Sequence, residues 1–100
     1  MNGRNTTAVI SALEDYLYMA VLLARLFADS PGGVFQRDQV PHLAGVPFGR
    51  TSEALAALDR FQELGLCTTT NATVRPGSAW AGQWGSLADA LQGALAYQEL

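Results

Sequence analysis

Apolar residues recur at helical spacing through the first third of the chain, across residues 6–30. Positions three or four residues apart lie on one side of a helix, so this spacing predicts one long first helix. Its apolar stripe consists of Val9, Leu13, Leu17, Ala20, Ala24 and Phe27. Further apolar residues widen the stripe around much of the cylinder: Ile10, Tyr16, Leu23 and Leu26. Such a helix is covered on more than one side, and the following Pro31 and two glycines end it.

A brief strand and a short helix are predicted next. The pair Val34 and Phe35 suits a short edge strand, and the residues after it show apolar positions at helical spacing. Asp38 is the expected N-cap of this second helix, because it places Pro41 in the first turn, where the missing N–H costs nothing. Gly45 ends the helix.

A third helix and a hairpin follow. The helix is predicted over residues 50–65, with Gly65 as its C-cap. Its inward-facing residues are Ala54, Leu55, Leu58, Phe61 and Leu64. Beyond it, β-branched residues alternate across residues 66–76, which predicts a hairpin. Either Asn71 and Ala72 form a two-residue turn, or a longer loop closes the hairpin.

The tail of the chain predicts a last helix. Ser86 and Asp89 have the spacing of a capping box at a helix start. Leu87, Leu91 and Leu95 then recur at helical intervals, so one face of this helix is apolar.

Composition predicts one domain with a single core and a lightly charged, acidic surface. Hydrophobic residues make up 49% of the 100 residues and charged residues only 15%. So few charges leave apolar area uncovered, which favours a dimer or a tightly bound partner. The chain has six arginines, no lysine and a net charge of −3, the wrong sign for holding nucleic acid by bulk electrostatics.

No motif predicts an enzyme, a metal site or a cofactor. His42 is the only histidine and Cys67 the only cysteine, so neither has a partner at metal-ligand spacing. Cys67 is expected to be a small buried hydrophobe, and a lone cysteine fits a reducing cytoplasm. The most apolar run, residues 16–28, is interrupted by Arg25 and is too short for a membrane span, so no membrane partner is expected.

The stretch LDRFQELGLCTTTNATVRPG, residues 58–77, joins the end of the third helix to the hairpin through an apolar-Gly-apolar step. Over residues 34–77, the predicted order of elements resembles the winged helix-turn-helix domain of bacterial transcription regulators, such as the MarR and ArsR families. The resemblance implies an α+β, mainly helical fold: a single winged-helix domain over residues 1–100, with flanking N- and C-terminal helices.

The resemblance also implies where DNA would be contacted. In this class the third helix presents its N-terminal half to the major groove, and the wing reaches phosphate or the minor groove. The implied DNA-binding residues are Arg37, Arg50, Thr51, Ser52, Asn71 and Arg75. Ala56 offers no group to a base edge, however, and Glu53 repels phosphate. Thr51 and Ser52 have the alternative role of helix caps, and Arg75 that of a solvated hairpin residue.

Two functions are compatible with these observations. The first is a cytoplasmic DNA-binding transcription regulator that acts as a homodimer on a roughly palindromic site of double-stranded DNA. The alternative is an acidic protein-interaction module, such as a phage or mobile-element inhibitor that binds a host or defence protein. A third alternative is an unrelated fold that contains a similar hairpin.

The large apolar residues of the tail are the candidate interface anchors, because buried aromatic residues often dominate binding. They are Trp80, Trp84, Leu87, Leu91 and Leu95. Their alternative role is to cover the core of their own domain.

Overall fold

The protein combines helices with a small antiparallel sheet. The computed structural model describes residues 6–99, and within them the chain is mainly helical, which confirms the α+β class expected from the sequence. The helices are α1 (Thr6–Ala12), α2 (Leu17–Asp29), α3 (Val40–Leu43), α4 (Thr51–Glu63) and α5 (Trp84–Gln98). The strands are β1 (Phe35–Gln36), β2 (Cys67–Thr70) and β3 (Thr73–Pro76).

The first helical segment is bent, so the single long helix expected from the apolar stripe is wrong. A 3₁₀ turn, Glu14–Tyr16, separates α1 from α2, and the two parts are bent by 64°. At the break the backbone N–H of Tyr16 donates to the carbonyl oxygen of Leu13 at 2.8 Å, a three-residue step that tightens the chain. No single helix within residues 6–99 is long and apolar enough to cross a membrane; only this bent pair together reaches that length and composition.

The second helix is shorter than expected and starts differently. A 3₁₀ turn, Arg37–Gln39, precedes α3, and the N-cap is Gln39, which makes no side-chain capping bond. Asp38 therefore lies inside the turn, and its assignment as N-cap is wrong. The tight 3₁₀ turn displaces the helix start by one residue, and Pro41 still lies in the first turn of α3, as expected.

The three strands form one sheet in the order β1-β3-β2, all antiparallel. Thr70 lies opposite Thr73, so Asn71 and Ala72 are the whole turn, and the two-residue alternative is confirmed. Asn71 has a φ of 53°, a left-handed conformation that asparagine tolerates better than most residues. The edge strand β1 starts at Phe35, one residue later than expected, and Phe35 pairs with Val74.

The ends of α4 and α5 test the capping signals. Gly65 has a φ of 76° and directly follows Leu64, the C-cap of α4, so the left-handed glycine expected at the end of this helix is confirmed one residue beyond the cap. In α5 the backbone N–H of Leu87 already donates to the carbonyl oxygen of Gln83 at 2.9 Å. Ser86 therefore lies within the helix, and the capping box with Asp89 is wrong.

Three aromatic side chains form the centre of the core. Phe27 of α2 and Trp84 of α5 meet edge to face, with ring centroids 5.0 Å apart. Phe61 of α4 stacks on Trp84 at 6.2 Å with an interplanar angle of 10°. Such aromatic contacts add to the apolar area that the rings bury, so they hold α2, α4 and α5 together.

The tail residues expected at an interface lie mostly in this core. Trp84, Leu87 and Leu91 are at most 1% exposed, because α5 packs along α2 within the same chain. Trp80, in the 3₁₀ turn Ser78–Trp80 before α5, is 4% exposed, and its ring centroid lies 6.0 Å from that of Trp84. The interface assignment is therefore corrected for these four residues, and their alternative role as core of their own domain holds. Leu95 is half-buried against the same cluster.

Candidate interaction surface

Helix α4 presents one apolar side to the core and one polar side outward. Ala54, Leu58 and Phe61 are buried, as expected from their spacing, and Ala57 joins them. Because successive residues turn by about 100° around a helix, the side opposite to these carries Ser52, Ala56, Asp59 and Glu63. Ser52, Asp59 and Glu63 are exposed, whereas Ala56 is half-buried.

Three arginines around α4 are each paired with an acid of that helix. Arg50 Nε donates to Glu53 Oε2 at 2.5 Å, and Arg37 Nη2 donates to Asp59 Oδ1 at 2.8 Å. Arg60 Nη1 donates to Glu63 Oε1 at 2.9 Å. The guanidinium charges of these three arginines are thus each compensated by a carboxylate of α4 in direct contact.

Arg50 is held from two sides. Besides its bond to Glu53, its guanidinium lies over the ring of Tyr18 in α2, 5.0 Å from the centroid. The hydrogen bond from the Arg50 side chain to the Glu53 carboxylate raises the pKa of Arg50 above its usual value, so the side chain stays charged. The first arginine of the expected DNA-reading helix is therefore engaged with its own chain.

The turn between α1 and α2 lies along the outer side of α4. Arg60 Nε donates to the carbonyl oxygen of Ala12 at 3.3 Å. A groove of about 450 Å³ runs between the two elements and is lined by Asp15, Tyr16, Ala56, Asp59, Arg60 and Glu63. Ala56 is half-buried and lines this groove together with Asp15 and Tyr16.

The charges on this side of the molecule sum to a negative value. We call the α4 face the set of charged residues on and beside α4: Glu14, Asp15, Arg37, Arg50, Glu53, Asp59, Arg60 and Glu63. With five carboxylates and three guanidinium groups, the α4 face has a net charge of −2. Two of the acids, Glu14 and Asp15, come from the turn between α1 and α2, and no sequence pattern indicates that this turn lies beside α4.

Thr51 and Ser52 lie at the start of α4, but neither caps it. The N-cap is Arg50, which makes no side-chain capping bond. The hydroxyl of Thr51 donates to the carbonyl oxygen of Phe48 at 3.3 Å, and Ser52 is exposed. The capping alternative for Thr51 and Ser52 is therefore wrong, and Thr51 instead fastens the turn that precedes the helix.

The hairpin places the other two expected DNA-binding residues. Asn71 is exposed at the turn, and the backbone N–H of Arg37 donates to the carbonyl oxygen of Ala72 at 2.6 Å, which fixes the turn beside Arg37. Arg75 lies opposite Thr68, away from the turn, and is exposed. Within residues 6–99, Arg75 is the arginine with no hydrogen bond or ion pair, since Arg25 donates to Gln92 at 3.2 Å.

The turn between α3 and α4 contains an exposed aromatic side chain that the sequence reasoning missed. Phe48 is 98% exposed, and Leu43 at the end of α3 is 52% exposed. Phe48 stands between Pro47 and Gly49, outside every helical stripe. A large apolar residue in a short turn with no place in the core pattern is the signal that could have identified it.

Cys67 and His42 show no features of a reactive or metal-binding site. Cys67 is 4% exposed, and burial raises the pKa of its thiol to about 11, so the nucleophilic thiolate is scarce at neutral pH. The expectation that Cys67 is a small buried hydrophobe is confirmed. His42 is exposed on α3, and within the described residues no group of three or more His, Cys, Asp or Glu side chains could hold a metal ion.

No protein-family model, no curated protein and no solved structure matches this chain.

Proposed function

We propose that this chain is a winged helix-turn-helix domain whose α4 face binds another protein. The order α2, β1, α3, α4 and then the hairpin of β2 and β3 supports the winged-helix part of this proposal. The sheet order supports it as well, because β1 pairs with β3 and so connects the hairpin to the strand before the helix pair. In this arrangement α4 is the recognition helix and the hairpin is the wing.

The ion pairing of the α4 face is the observation that favours a protein partner over DNA. Duplex DNA attracts proteins mainly through phosphate, and a strong binder places about six to ten cationic contacts on it. Arg37 and Arg50 each contact a carboxylate, that of Asp59 and that of Glu53 respectively. A phosphate bound by either arginine would therefore lie close to a carboxylate that repels it, which opposes the attraction of the arginine.

A protein partner meets none of these obstacles. Interfaces between proteins use mixed charges at the rim and apolar anchors at the centre. The α4 face supplies paired and unpaired acids, and the adjacent turn supplies the exposed Phe48. A negative surface also attracts a basic partner during encounter, which raises the association rate.

The DNA-binding homodimer is the second candidate function, and Arg75 favours it. This side chain is exposed and unpaired within the described residues, on a hairpin that would be the wing. A dimer would present two such arginines, one for each half-site. Homodimer formation and a cytoplasmic location stay predictions from the sequence.

A DNA titration separates the two candidates. Purified protein is titrated into fluorescently labelled random and genomic duplexes at about 50 mM and about 200 mM salt, and anisotropy is recorded. The proposed function expects no binding at about 10 μM protein in the lower salt. Binding that weakens steeply with salt, and that Arg75→Ala reduces, would instead establish the regulator.

A further inference from the structure

Phe48 has the geometry of a binding anchor that its own chain leaves unused. The side chain is 98% exposed, so it packs against almost nothing within the molecule. Its backbone is nevertheless fixed. The N–H of Arg50 donates to the carbonyl oxygen of Pro47 at 2.9 Å, and the Thr51 hydroxyl donates to the carbonyl oxygen of Phe48 at 3.3 Å. A rigid backbone with a free aromatic ring loses little entropy when the ring enters a partner's pocket.

An acidic pocket lies beside this turn. It has a volume of about 240 Å³ and shares Arg50 with the turn. Glu14, Asp15 and Glu53 line the same pocket, and Arg50 is already neutralised by Glu53. Two carboxylates, those of Glu14 and Asp15, are therefore left to attract a cation at this place.

We propose that the turn carrying Phe48 docks onto a protein that offers an apolar pocket with lysine or arginine side chains at its rim. Phe48 fills the apolar pocket, and a basic side chain of the partner enters the acidic pocket next to Arg50. This proposal rests on the proposed protein-binding function and names the chemistry of the partner.

Charge opposes the binding of the other occupants to this surface. A second copy of the chain in a two-fold pair would bring Glu14, Asp15 and Glu53 of both copies together, and like charges at close range oppose such a contact. Nucleic acid and anionic lipid are repelled for the same reason. A basic protein surface complements both the apolar and the acidic part.

Photo-crosslinking tests the contact directly. The full chain is expressed with p-benzoylphenylalanine replacing Phe48 or, as a matched control, Tyr97, which is also aromatic and is 80% exposed on α5. We expect crosslinks from position 48, and not from position 97, to one protein at a site flanked by Lys or Arg residues. Crosslinks to a second copy, crosslinks from position 97 alone, or none from either position would overturn the proposal.

Binding measurements with the partner that crosslinking identifies, purified on its own, test how much Phe48 and the acidic pocket contribute to affinity. Phe48→Ala should weaken binding about tenfold or more, as expected for a buried aromatic anchor, whereas Tyr97→Ala should leave it unchanged. Glu14→Gln with Asp15→Asn should lower the association rate and make that rate less dependent on salt. Asp29→Asn with Asp89→Asn, the matched control, should change neither. If Phe48→Ala binds the partner with unchanged affinity, the role of Phe48 as an anchor is refuted, while the proposed protein-binding function still stands. Salt-dependent DNA binding by the wild type would instead refute the proposed function.

Discussion

Single ion pairs on α4 matter more for function than for stability. Arg37, Arg50 and Arg60 and their acids are all about one-third exposed or more, and exposed pairs of this kind contribute little to stability. Their effect on recognition is larger, because a guanidinium in contact with a carboxylate presents little net charge to phosphate. The arginines that suggest DNA binding in the sequence therefore lie on a surface whose net charge is negative in the folded chain.

Trp84 tests the aromatic core. It is 1% exposed and contacts the rings of Phe27 and Phe61, so Trp84→Ala leaves a cavity beside these two rings. We expect the free energy of unfolding to fall by about 3–5 kcal/mol in urea denaturation followed by circular dichroism. Tyr97→Ala is the control, with a change within about 0.5 kcal/mol. A similar small loss in both variants would contradict the core assigned to Trp84.

The raised pKa of the buried Cys67 thiol predicts that the protein loses stability at alkaline pH. Burial raises the pKa of its thiol from about 9 to about 11, so between these pH values the unfolded chain releases the proton while the folded chain retains it. The folded state then binds more protons than the unfolded state, and stability falls as pH rises through this window. Urea midpoints measured from pH 8 to about pH 11 should fall less steeply for Cys67→Ala than for the wild type. Parallel curves would show that the thiol does not contribute.

At the scale of elements, the hairpin depends on a close approach of two backbone segments. The N–H of Gly77 donates to the carbonyl oxygen of Leu66 at 2.8 Å, and a Cβ added at Gly77 would lie 2.8 Å from that same oxygen. Glycine is therefore required where the hairpin closes onto the end of α4. Gly93 in α5 is the opposite case, because an added Cβ there meets nothing within 4 Å.

These two glycines form a matched pair of substitutions. Gly77→Ala should destabilise the protein by about 1–3 kcal/mol, because backbone atoms must shift to admit the new methyl group. Gly93→Ala should stabilise it by about 0.5–1 kcal/mol, because alanine favours a helix interior over glycine. Thermal or urea unfolding measures both changes. Equal effects with the same sign would contradict the described packing around Gly77.

The elements that were predictable from sequence are those with a local signal. Gly65 marks the end of α4 and Asn71 marks the hairpin turn, since both positions need a left-handed backbone. The bend before α2 has no such signal, because neither proline nor glycine occurs in residues 6–30. Ser86 and Asp89 have the right types and spacing for a cap, yet the hydrogen bonds of α5 begin before them.

The candidate site was only half predictable for a related reason. The pairs Arg50–Glu53 and Arg60–Glu63 are three residues apart on a helix and can be inferred from spacing. The pair Arg37–Asp59 joins residues that are distant in the chain. Residues 12–16 are also distant in the chain from α4, beside which they lie. These contacts depend on the tertiary fold, and they change the net charge from −1, for the charged residues 50–63 alone, to −2 for the whole α4 face.

At the scale of the whole molecule, the order of elements is typical of DNA-binding proteins, whereas the charge is unfavourable for binding DNA. The order of helices and strands agrees with a winged-helix domain, whereas the chain has a net charge of −3 and an α4 face that is itself negative. A fold sets the shape of a surface, and the residues placed on it set the partner. We infer that this chain uses the shape for protein recognition.

The central claim is that the acids of α4 keep Arg37 and Arg50 from phosphate, and a charge-release variant tests it most directly. Glu53→Gln with Asp59→Asn frees both arginines, and Asp89→Asn with Glu99→Gln makes the same change in net charge on and just after α5. Anisotropy with one labelled duplex is measured at about 50 mM and about 200 mM salt for both variants and the wild type. We predict salt-dependent DNA binding by the charge-release variant alone. Equal binding by the wild type, or no increase over the matched control, would contradict the claim.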